Sequence, residues 1–171
     1  MMKRQMHGVY VVEFAIIGVL LFVTLFGVLE MGRLYFTVNT LNETVRRGAR
    51  LAAVCDPTQP TEVEKILRRA IFNDITDSGA SNLVAGLETA DLTLTYLDAA
   101  GAQVLTPSDT SGSDGFRAIR YVQLRVDNFP FDLLIPVFGQ SLTLPSFRAI
   151  LPRESLGRHA EDGVSPEITP C

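Results

Sequence analysis

Histidine is almost missing from this 171-residue chain, which has only His7 and His159. A histidine-based metal centre or catalytic triad therefore has almost no material to draw on. Ser155, His159 and Glu161 sit too close together in one predicted loop to spread into a catalytic constellation. Cysteine is equally scarce. Cys55 and Cys171 form no CxxC pair, and no glycine-rich phosphate loop follows a predicted strand. No catalytic residue, metal ligand or cofactor is expected, and the protein reads as a non-enzyme. The net charge of −4 is unevenly spread: residues 1–55 carry six Lys/Arg against three Glu, and the remainder nine Lys/Arg against sixteen Asp/Glu. The acidic larger part argues against nucleic acid as a partner. At 47% hydrophobic residues there is room for one membrane helix and one modest domain, and none for two enzymatic domains.

What the chain does have is one long apolar run. From Val9 to Leu29 the only charged residue is Glu13. As an α-helix this run is roughly 30 Å long, the thickness of a bilayer's hydrocarbon core. Glu13 would then lie inside the membrane, where a carboxylate costs about 2.5–3.5 kcal/mol on insertion scales and marks a functional residue with a partner. A freed amino terminus is the obvious candidate. A cleavable secretory signal fits poorly, because the run is too long and no small-x-small site follows Leu29. A lipoprotein signal fails as well: Cys55 comes too late and Val54 is too bulky. The alternative is an uncleaved signal anchor in which the spacing of Gly8 and Glu13 is accidental. Lys3 and Arg4 on one flank are matched by Arg33, Arg46 and Arg47 on the other, so charge alone does not orient the span.

Residues 30–54 contain no proline and continue the helix as a stalk, which Asp56-Pro57 ends. Glu43 can pair with Arg46 and Arg47. The Arg46, Arg47 and Arg50 cluster reads either as a solvated face or headgroup contact, or as a specific subunit contact. Thr61 and Glu64 then form a T-x-x-E capping box, followed by an apolar stripe of Val63, Ile66, Leu67, Ala70, Ile71 and Ile75. Glu64 and Arg68 are spaced to support this helix. Leu92, Leu94 and Tyr96 alternate with threonines, Asp98 to Gly101 is a turn, and Gln103 to Leu105 closes a hairpin. Pro107 to Gly115 reads as an exposed loop. A longer strand follows over 118–126, and a last one over 142–151 is held to the sheet edge by Pro145.

The apolar, proline-punctuated stretch Phe129 to Gly139 has two readings. It covers the sheet or packs on the stalk, or it is a docking surface, through Phe131 and Phe138, for a neighbouring subunit or the membrane. Cys55 and Cys171 would both lie outside the cytoplasm, where a disulfide between them can form and tie down the tail beyond Gly157.

The order of Gly8, a short spacer, Glu13-Phe14, the apolar run, Phe26 to Arg33 and Arg47-Gly48-Ala49-Arg50-Leu51-Ala52-Ala53 resembles the TadE-like pseudopilins of tight-adherence (Flp) pilus systems. The likeness is dense over residues 8–54. Val9 stands where an alanine is usual, and His7 where an arginine is frequent. The resemblance implies cutting between Gly8 and Val9 by a membrane prepilin peptidase, which would place Glu13 and Phe14 at the fifth and sixth positions of the processed chain. It also implies a minor pilin used in pilus assembly for adhesion or biofilm formation. The implied partners are that peptidase, other pilins, the assembly platform and the lipid bilayer. An inner-membrane protein is implied, with a cytoplasmic amino end and a periplasmic head. The expected fold is α+β: a leader (1–8), a transmembrane helix (9–29), a helical stalk (30–55), an αβ domain with a small antiparallel sheet (56–156) and a tail (157–171). An uncleaved, signal-anchored periplasmic scaffold or binding protein is the alternative.

Overall fold

A computed structural model describes residues 7–134, 141–158, 168 and 171. Helix α1 runs unbroken from His7 to Val54, 48 residues or roughly 70 Å. Its two halves differ in their surroundings. From Gly8 to Leu29 every residue is exposed or half-exposed, whereas burial begins at Glu30. Beyond it, Thr37, Thr40, Leu41, Thr44, Val45, Gly48, Ala49, Ala52 and Ala53 recur at alternating steps of three and one and form one buried face. That is the spacing of a single helical stripe. Its side chains shrink toward the far end, so neighbouring elements approach the helix closely there.

Helix α2 (Pro60–Ala70) packs on this stripe. It differs from expectation at both ends. The N-cap is Gln59 and no side chain caps it, because Pro60 already supplies the preset φ of a first helical turn and moves Thr61 inside the helix. The helix also stops well short of Ile75. Phe72 takes a left-handed φ of 65°, its N–H bonds to Arg69 O, and the N–H of Asn73 bonds to Arg68 O. This is a Schellman motif with phenylalanine in the usual glycine position, and Ile75 is left exposed. Arg47 of α1 lies over the Phe72 ring at 5.1 Å. Arg47 is thus engaged with an aromatic face, and Glu43 forms no ion pair among the described residues. The Glu64–Arg68 pair does form, at 2.6 Å.

A three-stranded antiparallel sheet packs beside α2 on the same buried face of the stalk, in the order β1 (Leu92–Leu97), β2 (Tyr121–Val126), β5 (Phe147–Pro152). Central β2 alternates as its sequence dictates: Val122, Leu124 and Val126 are buried, while Tyr121 and Arg125 face outward. The expected 118–126 strand is shortened by a 3-10 turn at Phe116–Ala118. The expected hairpin survives at its turn, where Asp98 Oδ1 accepts from the N–H groups of Ala100 and Ala102. Its second arm shrinks to one bridge, Leu97 to Gln103. Pro145 splits the last strand into β4 (Ser141–Thr143) and β5, and β4 pairs with β3 (Pro130–Asp132) in a separate ribbon.

The core has a near and a far part. Leu41, Val45 and Ala49 pack with Leu124, Val126, Phe129, Phe131 and Phe147 nearer the apolar half of α1. Ala52, Ala53 and Cys55 pack with Tyr96, Phe116, Ile119 and Val122 at its far end. The result is an α+β head built around the second half of one helix whose first half is bare.

Candidate functional site

The candidate site residues lie along α1 and at its two ends. Gly8 stands near the start of the described helix with nothing within 4 Å of where a Cβ would be. Val9 is half-exposed, Phe14 is 78% exposed, and Glu13 is exposed without hydrogen bond or ion pair among the described residues. Glu13 lies four residues after Val9. Helical side chains lean toward the amino end, so the carboxylate overlies the turn that carries the Val9 nitrogen. The helix is long and apolar enough to cross a membrane, with a mean hydropathy of 2.6 in its most apolar window.

Where the apolar half ends, a clamp joins helix to head. Glu30 is only 8% exposed. Its Oε1 accepts from Arg33 Nη1 at 2.7 Å, and its Oε2 accepts from the Leu134 N–H at 3.2 Å. Arg33 in turn lies over the ring of Phe131 at 5.1 Å. Phe131, one of the two residues expected to form a docking surface, is therefore not exposed: it is 4% accessible and part of the core. Its alternation in the β3–β4 ribbon turns it toward the stalk, where Arg33 covers it. Phe138 lies outside the described residues. Reading residue by residue missed the clamp, although a Glu-to-Arg pair three apart directly after the last apolar residue was a visible signal.

At the far end of α1, no basic residue stands in the last turn to offset the unpaired carbonyls. Chain from more than a hundred residues later caps them instead. Ala53 O accepts from the N–H groups of Glu154 and Leu156, and Val54 O accepts from the Gly157 N–H and from Ser155 Oγ. Leu156 (φ 47°) and Gly157 (φ 79°) are both left-handed. A Cβ at Gly157 would approach Asp56 Cβ to 2.9 Å, so only glycine lets the chain cross there. Asp56 is itself buried, with its carboxylate accepting from the N–H and Oγ1 of Thr58.

Next to this cap, Cys55 is disulfide-bonded to Cys171, across a sequence separation of 116 residues. The Cys171 N–H also donates to Glu62 Oε2 at 2.7 Å, while Lys65 donates to Oε1. The Lys65 hydrogen bond, and then the bond from Cys171, hold the Glu62 carboxyl below its ordinary range against the opposing effect of desolvation. These two groups occlude Glu62 as a thin cover rather than a deep core, so solvent still screens the pair. Among the described residues, no three His, Cys, Asp or Glu side chains gather where they could share a metal ion.

Comparison with known proteins places the resemblance on the first part of this architecture. Residues 8–50, about a quarter of the chain, match the family model described as TadE-like protein. No curated protein and no solved structure shows significant similarity. The match begins at Gly8 and runs through the apolar half, the clamp and Gly48, where α1 touches both sheet and α2. Over most of the helix around which the head is built, this chain is similar to TadE-like proteins.

Proposed function

We propose that the protein is a minor pilin or pseudopilin that enters the inner membrane through the first half of α1, is cut by a prepilin peptidase between Gly8 and Val9, and takes part in assembling a Tad/Flp-type pilus. The observation that carries this reading is a 22-residue bare apolar surface, Gly8 to Leu29, holding one carboxylate five residues past the glycine, within a TadE-like match. TadE-like proteins are structural rather than enzymatic, in keeping with the non-enzymatic reading. The leader (1–8), span (9–29), stalk (30–55), head (56–156) and tail (157–171) are stages of one process: insertion, processing, and display of the head in the periplasm. Pilus-based adhesion or biofilm formation is the outcome.

The chemistry is one of charge pairing. Cutting creates a Val9 ammonium one helical turn before Glu13. Opposite charges in low dielectric attract strongly, and either one left unpaired there is unfavourable, so Glu13 neutralises its own chain's amine or that of a neighbouring subunit. The second option gives register to subunit docking. Phe14, exposed beside it, packs against lipid before assembly and against a neighbour after it. Intact-mass measurement of the membrane-extracted protein tests the first step, because only processing removes Met1 to Gly8. Retention of the full mass would support the alternative, an uncleaved anchored scaffold or binding protein. Glu13→Gln is expected to be cut normally but to enter pili poorly, and normal pili from it would refute the pairing.

A further inference from the structure

The exposed apolar side chains of the head are unevenly placed. Tyr35 is 73% exposed, Phe36 53%, Leu134 68% and Leu142 47%. All four lie close to where the bare half of α1 ends. Tyr35 and Phe36 follow Glu30 within two helical turns. Leu134 is held to Glu30 by its backbone N–H, and Leu142 pairs across the ribbon with Phe131, whose ring carries Arg33. The far end of the head is different in kind. There the turns near Tyr96 and Phe116 present half-buried Asp98 and exposed Asp109 and Asp114, with Leu105 as the one large apolar side chain exposed among them.

Helix geometry sets the level of this apolar group. Gly8 to Leu29 spans roughly 33 Å and fills a hydrocarbon core of about 30 Å, which puts Glu30 at its boundary. The headgroup layer extends roughly 5–7 Å beyond that boundary; the Cα of Phe36 stands about 9 Å above Glu30, at the layer's outer edge, and helical side chains lean back toward the amino end and so into it. Aromatic side chains concentrate at this level in membrane proteins. The exposed carboxylate of Asp132, in the same ribbon, is compatible with headgroups and not with acyl chains.

We propose that the underside of the head, formed by Tyr35, Phe36, Leu134 and Leu142, is a second membrane contact that rests in the headgroup layer of the bilayer α1 crosses. This rests on the membrane-anchor reading above. Lipid is the occupant because the patch adjoins the end of the bare apolar surface of α1, through exposed Met31, and the Glu30–Leu134 bond holds the ribbon at that level. The contact gives the head a fixed tilt and rotation on the membrane, which a single helix alone does not supply.

The chain contains no tryptophan, so one introduced tryptophan reports alone. Full-length L134W, L142W, L105W and F22W are reconstituted in phosphatidylcholine–phosphatidylglycerol vesicles, with bromine absent, near the headgroup end of the acyl chains, or deep in them. Leu105 is 83% exposed near the far end of the head, and Phe22 is 56% exposed within the apolar half. Deep bromine is expected to quench F22W, shallow bromine to quench L134W and L142W, and neither to quench L105W. The proposal is overturned if L134W and L142W behave like L105W while F22W is quenched. It is also overturned, in favour of a second protein copy, if L134W emits at short wavelength in plain vesicles yet escapes both quenchers. Failure to quench F22W would bring down the anchor reading together with this one.

Discussion

Gly48→Ala is expected to destabilise the head, although glycine-to-alanine changes inside helices ordinarily stabilise. Gly48 is where α1 meets the sheet and α2 at once. An added Cβ would lie 2.8 Å from Ala70 Cβ and overlap Leu124 Cδ2, against the roughly 3.5–4.0 Å of ordinary carbon contacts. Leu124 and Ala70 are fully buried, so neither can swing into solvent. Overpacking of this kind costs about 1–3 kcal/mol, whereas the helix-propensity gain is about 0.8–1 kcal/mol. The clash wins by about 1 kcal/mol, a few degrees of melting temperature for a domain of this size. Gly32 of the same helix has nothing within 4 Å of a Cβ, so Gly32→Ala should show the propensity term alone and melt slightly higher. The assay is thermal unfolding of the full chain in detergent, followed by near-ultraviolet circular dichroism of the buried aromatics. Adding Leu124→Val to Gly48→Ala removes the δ-methyl that the new Cβ would meet and should recover part of the loss beyond additivity. If Gly48→Ala melts at or above the parent, as Gly32→Ala should, the three-element contact does not explain the glycine.

Three further outcomes follow from the geometry. Glu30→Ala should lower stability by about 1–2 kcal/mol and speed hydrogen exchange at the Leu134 amide, with Glu30→Gln retaining most of the protection; unchanged exchange in the alanine variant would show that the clamp does not hold the ribbon. Tyr96→Phe should be neutral or stabilising by up to about 1 kcal/mol, because the buried hydroxyl has no partner among the described residues. Burial, and then the charge of Asp56, push the Tyr96 phenol above its ordinary value of 10.0. Its contribution is therefore full below about pH 10 and is lost as pH rises toward the higher folded value, so melts at pH 7 and 11 should show the parent losing more than the phenylalanine variant. The lowered Glu62 carboxyl works in the opposite direction. Its stabilisation is present above its ordinary value of 4.5 and is lost as pH falls through the lower folded value. A melting comparison with Glu62→Gln between pH 6 and 3 should therefore show the two proteins converging in acid by under about 1 kcal/mol.

Much of the architecture was legible because it rests on local rules. The membrane-length helix, its continuation as a stalk, an amphipathic second helix and an antiparallel sheet all follow from periodicity and the placement of proline. The misreadings occurred where distant contacts overrode those rules. The T-x-x-E box lost its capping role to Pro60 one residue earlier, and α2 ended on a left-handed Phe72 that no local pattern announces. The second hairpin arm shrank to one bridge on the outer edge of β1, while β2, far along the chain, supplied the full ladder on the other edge.

Taken alone, the sequence determined that one end of this protein is a helix long and apolar enough to cross a membrane and that a single acid stands in that segment, since hydropathy and helix length are properties of contiguous residues. Only the tertiary structure decided that Phe131 is covered by Arg33, that residues 154–157 cap the stalk carbonyls, and that Gly48 and Gly157 lie at crowded crossings. Those facts depend on residues tens to more than a hundred positions apart meeting in space, and the packing of helix against sheet is what brings them together.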